Sequence, residues 1–317
     1  MSDRPLVIKA IQKPGLAFRR TKRLVRNHLE DQLCRLAYQR ETAPIVNQTE
    51  IRVVGLRRIG NHAIINWLRS QVEGEVWHLN NVEPGENPYR NKYQNLEEHF
   101  PEYQDAIQRY KGEYIGNFTP KALLVYNHED CSLPKICHPR FEKNRDLYVG
   151  KSNVRQDVLI LRDPFNWLAS RFKSNMLSLR DRQKTLVDLW IEHAREFRGE
   201  TNYLSSQKVC INYNRWTKNR AYRKHIAERL GLKFCDRGLN QVSGCGGGSS
   251  FDGLQHHGNP SKMKVRHRWK QFADDPHYRH LISNPQLWEY TFEIFGDDIE
   301  AGVLPDSPNA LRSEGSR

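Results

Sequence analysis

At 317 residues the chain is long enough to bury a sizeable core, and it suits one α/β domain of roughly 250 residues with appendages better than two full domains. Its 50 lysines and arginines against 37 acidic residues, a net charge of +13, point to a polyanionic partner: nucleic acid, anionic lipid, or a substrate rich in phosphate or sulfate. The six cysteines form no CxxC pair and no metal-ligand spacing, and no apolar run approaches the roughly 18 residues of a membrane span, so a reduced, cytoplasmic setting without a bilayer crossing is expected.

Residues 15–38 carry Leu16, Leu24, Leu29, Leu33 and Leu36 at loosely helical spacing among arginines. That pattern suits a basic amphipathic helix, either docked on the domain with a solvated face or held against a membrane or partner. Ten lysines and arginines in residues 1–40 against Asp3, Glu30 and Asp31 place +7 of the net +13 on this arm. Residues 41–50 read as a linker. The chain thus divides into a basic arm with linker at 1–50, an α/β domain at 51–300 and a flexible tail at 301–317.

Four short apolar runs, 51–55, 122–126, 157–161 and 209–213, read as buried strands. Helical patterns fall between them at 63–71, 167–179, 185–197 and 219–230. This alternation predicts a three-layer α/β domain with a central parallel sheet flanked by helices. Ligands of such sheets sit beyond the carboxyl ends of the strands. The stretch 77–81, WHLNN, reads as an ordinary strand entering a loop or as a wall of an acceptor pocket; 83–93 reads as loop, and 244–258, with GCGGGSSFDG, as a flexible segment.

Two stretches carry chemistry. In VVGLRRIGNHAIINWL, 53–68, a strand breaks at Gly55, turns through Arg57, Arg58 and Gly60, and enters a helix. Backbone N–H groups and the positive helix end then converge on one point, which favours an anion. A magnesium-dependent phosphate loop has Lys and a hydroxyl residue next, but Asn61 and His62 stand there, so Arg58 has to supply the cation. In DVLILRDPFNWLASRF, a buried strand ends at Arg162, Asp163 reads as helix N-cap and Pro164 as the first helical residue. Ser170 follows Arg162 by eight residues, placed to share a phosphate with it, unless Arg162 is simply paired with Asp163 on the surface.

In these two motifs the sequence resembles the sulfotransferases that use 3′-phosphoadenosine 5′-phosphosulfate (PAPS), over about residues 51–296. The resemblance implies a P-loop NTPase-like sulfotransferase fold, with PAPS as co-substrate, its 3′,5′-phosphoadenosine (PAP) as product, and no metal. It implies that Arg57, Arg58, Gly60, Asn61 and His62 hold the 5′-phosphosulfate, although the family usually has Ser or Thr where Asn61 and His62 stand. Arg162 and Ser170 would bind the 3′-phosphate, and Tyr213, ending the strand VCINY, would lie near the adenine. The late segment MKVRHRWKQF, with Arg266, Arg268, Trp269 and Lys270, is similar to the basic segment that closes over the 3′-phosphate, with 246–251 as part of a flap.

Sulfuryl transfer to a hydroxyl or amine needs a cation on the leaving oxygen, here Arg58, and a base for the acceptor proton. His128 is the first candidate, with Glu129, Glu83 and Glu86 as the others. The acceptor is left open among a glycan, a lipid-linked sugar and a small metabolite. Rival readings are a nucleic-acid-binding basic protein, a P-loop kinase-like phosphotransferase and a non-catalytic scaffold. No interleaved basic and aromatic face supports specific nucleic-acid binding. Catalysis requires Arg58 and Arg162, 104 positions apart, to face one cleft.

Overall fold

The computed structural model describes Leu29 and residues 44–179, 183–242, 244 and 248–296. The predicted basic helix at 15–38 and the tail at 301–317 lie outside the described residues, apart from Leu29. The first described strand, β1 (Ile45–Gly55), is followed by α1 (Asn61–Ser70), β2 (Val76–Leu79), α2 (Pro88–His99), α3 (Gln104–Tyr114) and β3 (Lys121–Glu129). Three short helices, α4 (Leu133–Ile136), α5 (Pro139–Lys143) and α6 (Arg145–Val149), lead to β4 (Lys151–Leu161), α7 (Pro164–Lys173) and α8 (Leu186–Arg198). Then come β5 (Val209–Asn212), α9 (Tyr213–Lys218), α10 (Arg220–Arg229), α11 (Pro276–Leu281) and α12 (Pro285–Phe295).

The five strands form one parallel sheet in the order β2-β3-β1-β4-β5, covered by helices on both faces, so the three-layer α/β class stands as expected. Alternate residues of each strand feed opposite layers. Ile51, Val53, Leu123, Val125, Val158 and Ile160 pack with Ile64, Trp67, Leu168 and Trp190 in the larger core. Leu124 and Tyr126 point the other way, onto Trp77, Tyr89, Phe141 and Tyr148. β1 is the central strand, and the chain leaves it toward β2 and β3 on one side and reaches β4 on the other. That reversal opens a crevice at the carboxyl ends of β1, β3 and β4.

The structure departs from the sequence expectations at three places. The supposed linker at 41–50 is in part strand: β1 begins at Ile45, with Asn47 and Glu50 buried and partnered, as Asn47 Nδ2 donates to Val149 O at 2.9 Å and Arg145 Nε to Glu50 Oε1 at 2.7 Å. Residues 83–93 are not all loop, because Asn87 accepts from the backbone N–H groups of Tyr89 and Arg90 and starts α2 with Pro88 in its first turn. The helix expected over 167–179 stops at Lys173.

Beneath β1 and β4, on the face away from the larger core, lies a buried ion network. Arg52 donates to both Asp157 oxygens at 2.8 and 3.0 Å and pairs with Glu142, while Glu50 takes Arg145, Arg155 and Ser152. Burial pushes the Glu50 carboxyl up, but Arg145 and Arg155 outweigh it and hold the group below its ordinary value.

Candidate functional site

Strand register builds the site. Gly55 of β1 stands opposite Glu129, the last residue of β3, and Leu161 of β4 stands opposite Asn212 of β5. The next residues therefore emerge together at the carboxyl edge, and Arg162 lies with its guanidinium carbon 5.3 Å from the Tyr213 ring centre. Tyr213 itself is the first residue of α9 rather than the last of a strand, since Asn212 caps that helix by accepting from Arg215 N.

The loop between β1 and α1 holds an unusual backbone. Arg58 has φ 68° and Gly60 φ 113°, both in the left-handed region. A Cβ on Gly60 would fall 2.1 Å from the Tyr213 ring, so glycine is required there twice over. A Cβ on Gly55 would collide with Asn61 Oδ1 at 2.2 Å. Asn61 uses that space to fold inward, its Nδ2 donating to Leu56 O at 3.1 Å and Glu129 Oε1 at 2.9 Å. Both amide protons of Asn61 are thus committed to the protein, so its side-chain amide does not donate into the cavity.

Three guanidinium groups converge. Arg162 Nη1 donates to Arg58 O at 3.3 Å and to Ser170 Oγ at 3.4 Å, and Arg162 Nη2 donates to Val265 O. Arg268 Nη1 reaches the same Ser170 Oγ at 3.1 Å, and its Nη2 donates to Ser249 Oγ at 2.8 Å. Arg58 donates to Gly248 O at 3.0 Å and from Nε to Ser174 Oγ at 3.3 Å. Burial, together with the like charges of Arg162 and Arg58, pulls the Arg268 guanidinium down to about 10. Burial, and then the charge of Arg171, likewise lowers Arg58, with Glu129 opposing.

Around them is a cavity of about 840 Å³. Among the described residues, nine of its lining side chains are lysine or arginine, and one, Glu129, is acidic. Of the residues singled out in the sequence, Arg57, Arg58, Gly60, Asn61, His62, Glu129, Arg162, Tyr213, Arg266 and Arg268 border it, and Ser170 lies directly behind Arg162 and Arg268. Asn80 and Asn81 of the WHLNN stretch also border it, while Trp77 packs in the smaller core.

Five candidates do not border it. His128 points to the opposite face of the sheet from Glu129, only 1% exposed, with Nδ1 2.8 Å from Val82 O and its ring edge-on to Tyr126. Burial, with Arg52 and Arg145 nearby, drops its pKa to about 3. His128 is therefore a core histidine and is removed from the base candidates. Trp269 is buried in the larger core and Lys270 is exposed over the Trp269 ring, so that pair supports the cavity wall rather than lining it. Glu83 and Glu86 lie away from the lining.

Several residues that the sequence reading passed over set the geometry. Asp130, at φ 57°, accepts from Arg57 N at 2.9 Å and from Arg171 Nη1 at 2.9 and 2.7 Å, clasping the loop to α7. Asn166 accepts from the N–H groups of Arg268 at 2.8 Å and Trp269 at 3.4 Å, fixing the late basic segment to the same helix. Two indoles hold the carbonyls of the two loops: Trp167 donates to Arg57 O at 2.8 Å and Trp190 to Arg162 O at 3.0 Å. Their only sequence signal is position on the two helices, α7 and α8, that follow the second motif.

No protein-family model matches the chain, and no curated protein does. Solved structures similar to it include a sulfotransferase domain from the curacin biosynthetic pathway, at 13% identity over 77% of this chain and 96% of that one, with a TM-score of 0.43. Mouse sulfotransferase SULT7A1, solved in complex with PAP, is 12% identical over 85% of this chain and 90% of its own, with a TM-score of 0.40. The PezAT chromosomal toxin–antitoxin system of Streptococcus pneumoniae is also similar, at 12% identity over 63% of this chain and 85% of that one, with a TM-score of 0.29. Likenesses this distant carry no argument, and the chemistry has to be read from the arginine-lined cavity.

Proposed function

We propose that the protein transfers the sulfuryl group of PAPS to a hydroxyl or amine acceptor without a metal. The observation that carries this reading is the convergence of Arg58, Arg162 and Arg268 on one cavity that, among the described residues, holds a single acidic side chain. Like charges packed this closely repel, and the cluster is stabilised by a ligand with more than one anionic group.

Arg162, Arg268 and Ser170 suit the 3′-phosphate, since both guanidinium groups share the Ser170 hydroxyl. The N–H groups at the start of α1, at Asn61 and His62, together with Arg58, suit the 5′-phosphosulfate. Tyr213, stacked on Trp216 at 6.0 Å between ring centres, offers an aromatic wall for the base. As the sulfuryl group moves in line, negative charge builds on the bridging oxygen, and Arg58 stabilises it there. Of the base candidates, Glu129 alone borders the cavity. A volume of about 840 Å³ sits high in the range of roughly 300–1,000 Å³ usual for small-molecule sites, which leaves room for part of an acceptor such as a glycan, a lipid-linked sugar or a small metabolite.

Calorimetric titration with PAP, followed by transfer of ³⁵S-labelled sulfate from PAPS into a cell extract, tests the proposal. Saturable PAP binding and labelled product formed in the presence of EDTA are expected. Absence of PAP binding would overturn it, and activity that EDTA abolishes would favour a metal-dependent phosphotransferase.

A further inference from the structure

We propose that His62 receives the proton of the acceptor hydroxyl or amine, and that Glu129 is the positioning carboxylate that holds the imidazole; this rests on the sulfuryl-transfer reading above. A base for this step must border the cavity, stand near Arg58 and offer a lone pair at neutral pH. Glu129 meets the first two conditions, but its oxygens are already engaged by other donors. Its Oε1 already accepts from Asn61 Nδ2 at 2.9 Å and Asn127 Nδ2 at 3.4 Å, and Oε2 faces Arg57 Nε at 3.8 Å.

His62 stands two residues after Gly60, in the first turn of α1, and borders the same cavity with its side chain a quarter exposed. Its Nε2 lies 4.0 Å from Glu129 Oε1. The groups facing it are Glu129 from β3, Arg58 from its own loop, and His78 from β2, whose ring centre is 6.4 Å away. Burial loosens its hold on a proton most, Arg58 loosens it further, and Glu129 opposes both, so the ring is neutral at neutral pH. A neutral imidazole beside a carboxylate keeps its N–H toward that carboxylate and its lone pair on the other nitrogen.

The step then balances. The acceptor oxygen or nitrogen bonds to sulfur while the bond from sulfur to the bridging oxygen breaks, and that electron pair stays on the phosphate. The acceptor's proton passes to the imidazole, Glu129 stabilises the imidazolium, and water later takes the proton away. Asn61, fixing Glu129 from the neighbouring position, completes the arrangement. In the family the hydroxyl residue at position 62 donates to the ligand, whereas a neutral imidazole at that place can accept.

The test compares His62→Gln and Glu129→Gln with the full-length protein, using PAP in calorimetry and ³⁵S-PAPS with a small-molecule cell extract across pH 5–9. We expect His62→Gln to bind PAP within about threefold of the parent and to lose ~10²- to 10³-fold in turnover, together with the acid limb of the pH profile. Glu129→Gln should shift that limb to lower pH, because Glu129 is the neighbour that raises the His62 pKa. Turnover of His62→Gln within about threefold of the parent, or an unshifted limb in Glu129→Gln, overturns the assignment while PAP binding stands. A parent protein that neither binds PAP nor transfers label removes the underlying function, and the assignment with it.

Discussion

Arg58 illustrates how a residue gains a role from its backbone. At φ 68° it occupies a conformation that costs a non-glycine residue of order 1 kcal/mol or more, and the cost is met by Asp130, Ser174 and Trp167 around the loop. Arg58→Ala should therefore keep the fold, judged by an unchanged circular dichroism spectrum, and lose ~10²- to 10³-fold in sulfate transfer, about 3–4 kcal/mol of transition-state stabilisation. Near-normal turnover would remove Arg58 from the reaction. Arg162 is read through ligand pairs: Arg162→Ala should weaken PAP far more than adenosine 5′-phosphate, and equal losses in a competition titration would place Arg162 away from the 3′-phosphate. At this scale the sequence was informative where a motif fixes both residue and spacing. Arg162 and Ser170, eight apart, do share one contact. It misled at His128, because one position along a strand moves a side chain to the other face, and the apolar run 122–126 does not say which face holds the cavity.

The element that unites the site is α7. Its N-terminus is set by Asp163, whose carboxylate accepts from Asn166 N at 2.8 Å, and the helix then presents Asn166 and Ser170 to the late basic segment at Arg268 and Arg171 to Asp130 after β3. Asn166→Ala should release the Arg268–Trp269 segment while leaving the helix formed. The expected result is PAP affinity reduced by about tenfold or more, from one or two lost hydrogen bonds of about 1 kcal/mol each, with little change in the urea midpoint. Unchanged affinity would show that the segment holds itself. The cap and the proline were legible in the sequence, because they act on neighbours within four residues. The partners of Asn166 lie 102 and 103 positions away, and no local pattern announces them. The same limit explains β1, whose first residues look like a linker until the buried partners of Asn47 and Glu50 are in place.

Across the whole molecule, the buried histidines and ion network make stability depend on pH. His128 titrates at about 3 in the fold, against an ordinary value of about 6.5 in the unfolded chain. As pH falls below about 6.5 the unfolded chain takes up a proton that folded His128 refuses, so stability falls by about 1.4 kcal/mol per unit. His78, lowered to about 4 chiefly by burial, adds a smaller effect in the same direction. The carboxylate Glu50, held charged by Arg145 and Arg155, loses its contribution only below the ordinary carboxylate range near 4.3. Urea unfolding should therefore lose about 2 kcal/mol between pH 7 and pH 5 through His128 alone, and His128→Gln should flatten that slope. Parallel slopes for the two proteins would contradict the buried, neutral state of this ring.

The sequence by itself determined what depends on period and near neighbours: the alternation of strands and helices, the parallel three-layer class, the helix caps, and the identity of the basic residues at the strand ends. Tertiary structure decided what depends on register across strands and on packing between layers. It set Glu129 rather than His128 on the cavity wall, turned Asn61 inward, placed Arg268 against Ser170, and put Arg58 and Arg162 in one cleft. The physical reason is range: hydrophobic period and capping act over a few residues, while facing and burial are fixed only when segments a hundred positions apart close on each other.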